Sequence, residues 1–170
     1  MKIALKIIFV ILLIWGTIVI ARGGYIGLLD NVNLIWHEAG HTLFVFFGDF
    51  VRILGGSLTQ VLIPLLCGVV FLVKRQWFAS TFALWWAGQN LTNVSIYIGD
   101  ARALKLDLIG GEASIHDWNY LLGMMGQRHL DMAIASYVWW IGMIAMGAAL
   151  FLTLYFIWRD DIKTKKGIAL

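Results

Sequence analysis

Long apolar runs decide what this chain can become. Five of them, at about 3–21, 33–48, 57–73, 77–98 and 130–158, take up most of the 170 residues. Hydrophobic residues make up 61% and charged residues 14%, whereas soluble domains have about 45–50% and about 25%. A bilayer-spanning helix needs about 20 apolar residues, and four of the five runs approach or exceed that length. The expectation is an all-α, polytopic helical membrane protein with about five apolar helices. It forms one domain over residues 1–170, integral to the lipid bilayer and multi-pass.

The net charge of +3 does not signal nucleic acid, because most Lys and Arg stand at the ends of the apolar runs, as topological anchors do. Cys67, the single cysteine, lies in an apolar run and reads as a buried, inert thiol. The N-terminal run follows Lys2 and Lys6 but lacks an A-x-A-like cleavage site, so it reads as an uncleaved first helix. The second run, of about 16 residues, is short for a crossing. If all five runs cross, the basic residues divide almost evenly between the two faces. If the second does not, Lys74, Arg75 and the "KTKK" tail join the N-terminus on one face, and a cytoplasmic N-terminus follows.

Between the second and third runs lies "FGDFVRILGGSLTQ", residues 47–60. Gly48 suits a helix C-terminus, "FVRIL" has strand propensity and Gly55-Gly56 is a turn signal, so a short strand or hairpin is expected here. An exposed strand edge at the membrane face would pair with an extended peptide.

The second run carries His37-Glu38-Ala39-Gly40-His41, an H-E-x-x-H pattern. On a helix, positions i and i+4 share a face, so both imidazoles can reach one Zn²⁺. Glu38 stands beside them, free to act as general base toward water and then as acid toward the leaving amine. A chance match in an apolar helix is disfavoured, because unpaired His and Glu are penalised there. Haem ligation is disfavoured as well, since two histidines one turn apart cannot take both axial faces of one haem. Gly40 lets a neighbouring helix or a substrate backbone approach closely.

A catalytic zinc usually has three protein ligands. Asp117 in "ASIHDWNYLLG" is the favoured third, a carboxylate at the polar edge of an apolar stretch; the alternative is an N-cap for a helix beginning at Trp118. His116 is a second possibility, as a ligand or as a residue that orients Asp117. Asp100 is a third, although Arg102 nearby suggests an interfacial ion pair instead. His129 and Asp131 mark the start of the fifth helix, and Glu112 reads as a loop residue. In "WWAGQNLTNVSIY", Gln89, Asn90 and Asn93 make one helix face rich in amides, either as helix–helix glue or as the lining of a cavity.

"HEAGH" in an apolar helix, with "GGSLTQVLIP" and "HDWNYLLG" after it, resembles the site-2 protease class of intramembrane zinc metalloproteases, in particular the compact bacterial members without a PDZ domain. The resemblance covers roughly residues 30–125. The later L-D-G motif of that class does not occur, and Asp117 would stand in for its aspartate. The resemblance implies a zinc endopeptidase of a bacterial inner membrane that cleaves a membrane protein or peptide in or near the bilayer. It also implies an Asn near the metal that holds substrate or stabilises the oxyanion, for which Asn90 and Asn93 are the candidates. Two other classes remain open: an inactive relative serving as scaffold or binding protein, and a non-hydrolytic metal-binding membrane protein. A transporter would be expected to spread more acidic and His residues along several helices than this chain does.

Overall fold

The computed structural model describes residues 3–109 and 115–165. Glu112 and Lys166 lie outside them. Six α-helices make up the fold: α1 (Ile3–Ala21), α2 (Gly27–Leu43), α3 (Asp49–Val73), α4 (Trp77–Gly99), α5 (Asp117–Met124) and α6 (Asp131–Lys165). Three segments are long and apolar enough to cross a membrane: α1, α3, and Arg128–Asp160, which contains most of α6. The five expected apolar runs all fall mainly in helices, α1, α2, α3, α4 and α6, of which three among the described residues are long and apolar enough to cross. α2 has only 17 residues. α4 has 23, but Ser80, Thr81, Gln89, Asn90, Thr92 and Ser95 are buried along it.

The position of α4 explains its polarity. It is the central helix, packed on α1, α3 and α6, so its polar groups are enclosed by protein rather than facing lipid, and most of them find partners there. The outer helices do the opposite: Ile7, Ile11 and Trp15 of α1, Leu66 and Val69 of α3, and Ile144 and Phe151 of α6 are all exposed.

Contacts along the helices fix their directions. Thr153 of α6 meets Thr81 of α4 at 2.9 Å, and Gly142 backs onto Gly88, so α4 and α6 are antiparallel. Lys6 pairs with Asp160 at 2.7 Å, which sets α1 antiparallel to α6. On α3, Gln60 reaches Asn93 of α4 and Gly68 faces Ala83, an antiparallel pair. α2 is antiparallel to α3 in turn, with His41 beside Arg52 and His37 beside Gln60. Consequently α1 and α2 both run in the direction of α4. The start of α1, the end of α3, the start of α4 and the end of α6 share one end of the bundle, where Arg159 lies over the rings of Trp77 and Phe156.

No strand occurs among the described residues, so the short strand or hairpin expected in residues 47–60 is overturned. A single 3-10 turn (Val45–Phe47) and Gly48, at φ +83°, join α2 to α3. "FVRIL" is the first part of α3, where Arg52 N–H donates to the Gly48 carbonyl at 2.9 Å. Local β propensity loses because a helix satisfies its own backbone groups at membrane depth and a lone hairpin does not. Gly55-Gly56 is not a turn either. It is the place where α3 crosses α2, and a Cβ at Gly55 would lie 2.9 Å from the Gly40 carbonyl oxygen.

Candidate metal centre

The crossing of α2 and α3 builds the site. His37 and His41 lie one turn apart on the face of α2 turned to α3, with ring centroids 4.9 Å apart. Gly56 of α3 sits directly against both rings: a Cβ there would come within 2.7 Å of His37 Nε2 and 2.8 Å of His41 Nε2. Only a residue without a side chain leaves room for the two imidazoles.

α5 closes the site from the opposite side. His116 is its N-cap, with Nδ1 accepting the Asn119 N–H at 3.2 Å. Asp117 is its first residue, so the alternative that made Asp117 the cap is corrected by one position. Three anchors hold α5 in place. Trp118 Nε1 donates to Ser57 Oγ at 3.1 Å, Asn119 Nδ2 donates to the Ala101 carbonyl at 2.7 Å, and Leu121 and Leu122 are buried. The Asp117 N–H donates to the Tyr97 hydroxyl oxygen at 3.0 Å. So placed, Asp117 Oδ2 lies 2.9 Å from His37 Nε2 and 3.2 Å from His41 Nε2. His37 and Asp117 are buried and His41 is half-buried. These three form the one group among the described residues that could hold a metal ion.

The far side of each imidazole is also engaged. His41 Nδ1 lies 3.0 Å from the Arg52 carbonyl oxygen, and His37 Nδ1 lies 3.2 Å from Gln60 Oε1. An oxygen acceptor at each Nδ1 suits a proton on that nitrogen. Nε2, which faces Asp117 Oδ2 here, would then be the nitrogen that meets a metal, the usual arrangement behind a metal-binding histidine. Two imidazoles and a carboxylate are a donor set zinc takes readily. Donor atoms separated by about 3 Å suit one ion with bonds of about 2 Å. The residues therefore fit zinc, and three protein ligands leave a position for water or substrate. Glu38 is exposed beside the group and makes no hydrogen bond or ion pair among the described residues.

The alternative ligands lie elsewhere. The Asp100 carboxylate accepts the backbone N–H groups of Lys105 and Leu106 at 2.9–3.1 Å and closes the turn after α4. His116 Nε2 is 3.3 Å from Asp100 Oδ2 but aligned too poorly for a hydrogen bond. Neither belongs to the three-residue group. Arg102, expected beside Asp100, instead grips Asp131 with two hydrogen bonds of 2.8 and 2.7 Å. That tie links the loop after α4 to the start of α6.

The amide-rich face of α4 divides in two. Asn93 donates to Asp30 Oδ1 at 3.2 Å and accepts from Gln60 Nε2 at 2.7 Å, which puts it two hydrogen bonds behind His37. Asn90 points elsewhere, with Nδ2 on the Trp86 carbonyl and a buried Oδ1 that has no partner among the described residues. Sequence reasoning missed Gln60, Tyr97 and Asp30. Asp30 alone carried a signal, as a carboxylate two helical turns before His37. No family model, curated protein or solved structure matches the chain.

Proposed function

We propose that the chain is a membrane-embedded zinc endopeptidase of the site-2 protease type, cleaving a peptide bond of a membrane protein or peptide. The observation that carries this reading is the division of labour at the α2–α3 crossing. His37, His41 and Asp117 converge on one point, whereas Glu38, next in sequence, stays out of the group and unpaired. A closed structural site would have a fourth ligand and no use for a free carboxylate beside it. Zinc, when bound, supplies Lewis acidity toward a carbonyl oxygen and toward water. The Glu38 carboxylate takes the proton from the attacking water and returns it to the leaving amide nitrogen. The glycines at 40, 55 and 56 keep the helices close enough for His37 and His41 to meet Asp117. Three helices long and apolar enough to cross a bilayer support a multi-pass membrane protein, and the resemblance implies a bacterial inner membrane. The gathering of Lys74, Arg75 and Arg159 at the end of the bundle away from the site supports a cytoplasmic N-terminus.

Glu38→Gln tests the assignment, because it preserves shape while removing the base. Purified Glu38→Gln protein should hold about one zinc per chain by elemental analysis and lose cleavage of a membrane peptide, by a factor of about 10²–10⁴. Full activity in this variant would remove the peptidase reading and favour a binding role.

A further inference from the structure

A chain of two amides, buried Gln60 and half-buried Asn93, leads from His37 to a carboxylate, and all its hydrogen bonds point the same way. His37 Nδ1 faces Gln60 Oε1, Gln60 Nε2 donates to Asn93 Oδ1 at 2.7 Å, and Asn93 Nδ2 donates to Asp30 Oδ1 at 3.2 Å. Asp30, Gln60 and His37 are buried.

An amide side chain can face either way, so something must choose. The choice is made at Asp30. Its Oδ2 accepts the Ile26 N–H at 2.6 Å, and a backbone N–H can only donate. Its Oδ1 accepts Gln89 Nε2 at 2.8 Å. Gln89 is itself held by a second fixed donor, because Trp86 Nε1 donates to Asn33 Oδ1 at 2.8 Å and Asn33 Nδ2 donates to Gln89 Oε1 at 2.7 Å. An indole N–H cannot accept, so this arm has one direction only. Asp30 thus receives donors from two sides that cannot reverse. As an acceptor it turns the amide nitrogen of Asn93 toward itself. Asn93 then offers oxygen to Gln60, Gln60 offers oxygen to His37, and His37 must carry its proton on Nδ1.

We infer that Asp30 is a positioning residue for the metal site: through Asn93 and Gln60 it fixes the direction of the hydrogen-bond chain and commits Nε2 of His37 to the metal. The inference rests on the reading of His37 as a metal ligand. Asp30 touches neither metal nor substrate, and it acts on the tautomer of a side chain two turns along its own helix.

The test compares zinc affinity, by competition with a chelator, and melting of the metal-free protein for four forms of the full chain in detergent. Asp30→Asn keeps the volume but leaves one acceptor oxygen where the carboxylate had two, so residue 30 no longer accepts from Ile26, Gln89 and Asn93 together. The chain loses its fixed direction and affinity should fall about 10- to 100-fold, the cost of losing a partner behind a ligating histidine. Asn93→Leu cuts the chain between Asp30 and Gln60 while leaving Asp30 its other donors, and affinity should fall in the same range. The double change Asp30→Asn with Gln60→Glu moves the carboxylate to His37 Nδ1. Asn93 can then reverse and donate to residue 60, and the double variant should regain most of the affinity lost in the single one. A purely structural Asp30 would not be rescued from position 60. Affinity within about twofold of the unaltered chain in Asn93→Leu, or a double variant no better than Asp30→Asn, overturns the inference. If Asp30→Asn does not fold, Asn93→Leu decides by itself. The fourth form, His37→Ala with His41→Ala, separates the two claims: zinc retained there removes the metal site itself, and zinc lost there with normal affinity in the other variants removes only the role of Asp30.

Discussion

Two helix crossings in this molecule use the same device for opposite ends. At the α4–α6 crossing, a Cβ on Gly88 would lie 2.7 Å from the Gly142 carbonyl oxygen, and one on Gly142 would lie 2.6 Å from that of Gly88. Met146 and Thr92 lie against that contact, and Met146 belongs with Ala149 and Trp85 to a buried apolar cluster. At the α2–α3 crossing, Gly40 and Gly55 bring the backbones just as close, but the adjoining space is occupied by imidazoles, a carboxylate and the amide of Gln60. Close packing of small residues is a general way to join helices in lipid. The difference lies in what the approach delivers. At α4–α6 it delivers van der Waals contact. At α2–α3 it delivers a cluster of polar groups converging on one point, which are satisfied only if every partner is in place.

The sharpest way to break this comparison is to enlarge one glycine at each crossing. Gly56→Val should abolish stoichiometric zinc, because its side chain would occupy the space of both ligand nitrogens. Gly142→Val should destabilise by about 1–3 kcal/mol through overpacking, and the folded fraction should keep its zinc. Elemental analysis and melting in detergent read the two effects. Equal zinc loss in both variants would mean that the crossings are not independent.

A smaller contrast separates the two carboxylates near the α4–α5 connection. Asp117→Ala removes one of three converging groups, so zinc affinity should fall by at least about tenfold, as for loss of a group supporting the site. Asp100→Ala loses only the acceptor that closes the turn at Lys105 and Leu106. Its cost should resemble that of a lost cap, about 0.5–2 kcal/mol, with zinc retained. Chelator competition on both variants checks the pair, and a larger loss of affinity in Asp100→Ala would transfer the ligand role to it.

The smallest effect belongs to the α4–α6 crossing. Thr153→Val removes the hydroxyl that meets Thr81 at 2.9 Å, at a cost of about 1 kcal/mol. Zinc content should not change. A measurable loss of metal from this position would show that the two crossings communicate through α4.

Much was legible in the sequence. The apolar runs announced a helical membrane protein, because the cost of exposing them to water depends on composition alone. His37 and His41, with Glu38 between them, announced a candidate metal site, because i and i+4 share a helix face whatever the tertiary fold. Asp117 was reachable by position along the chain, as a carboxylate opening a short apolar stretch. Misreadings clustered where long-range contact decides. "FVRIL" and Gly55-Gly56 carry local signals for a strand and a turn, yet α2 lies across them and makes them a helix–helix contact. Arg102 stands two residues from Asp100 and pairs with Asp131 instead.

Helical character and the spacing of the two histidines were therefore the sequence's own, since both follow from local geometry and from composition. The tertiary structure alone decided which helices face lipid, which carboxylate meets the imidazoles, and which way the amides behind His37 point. These depend on partners 23 to 80 residues away along the chain, and a hydrogen bond is specified by both of its ends.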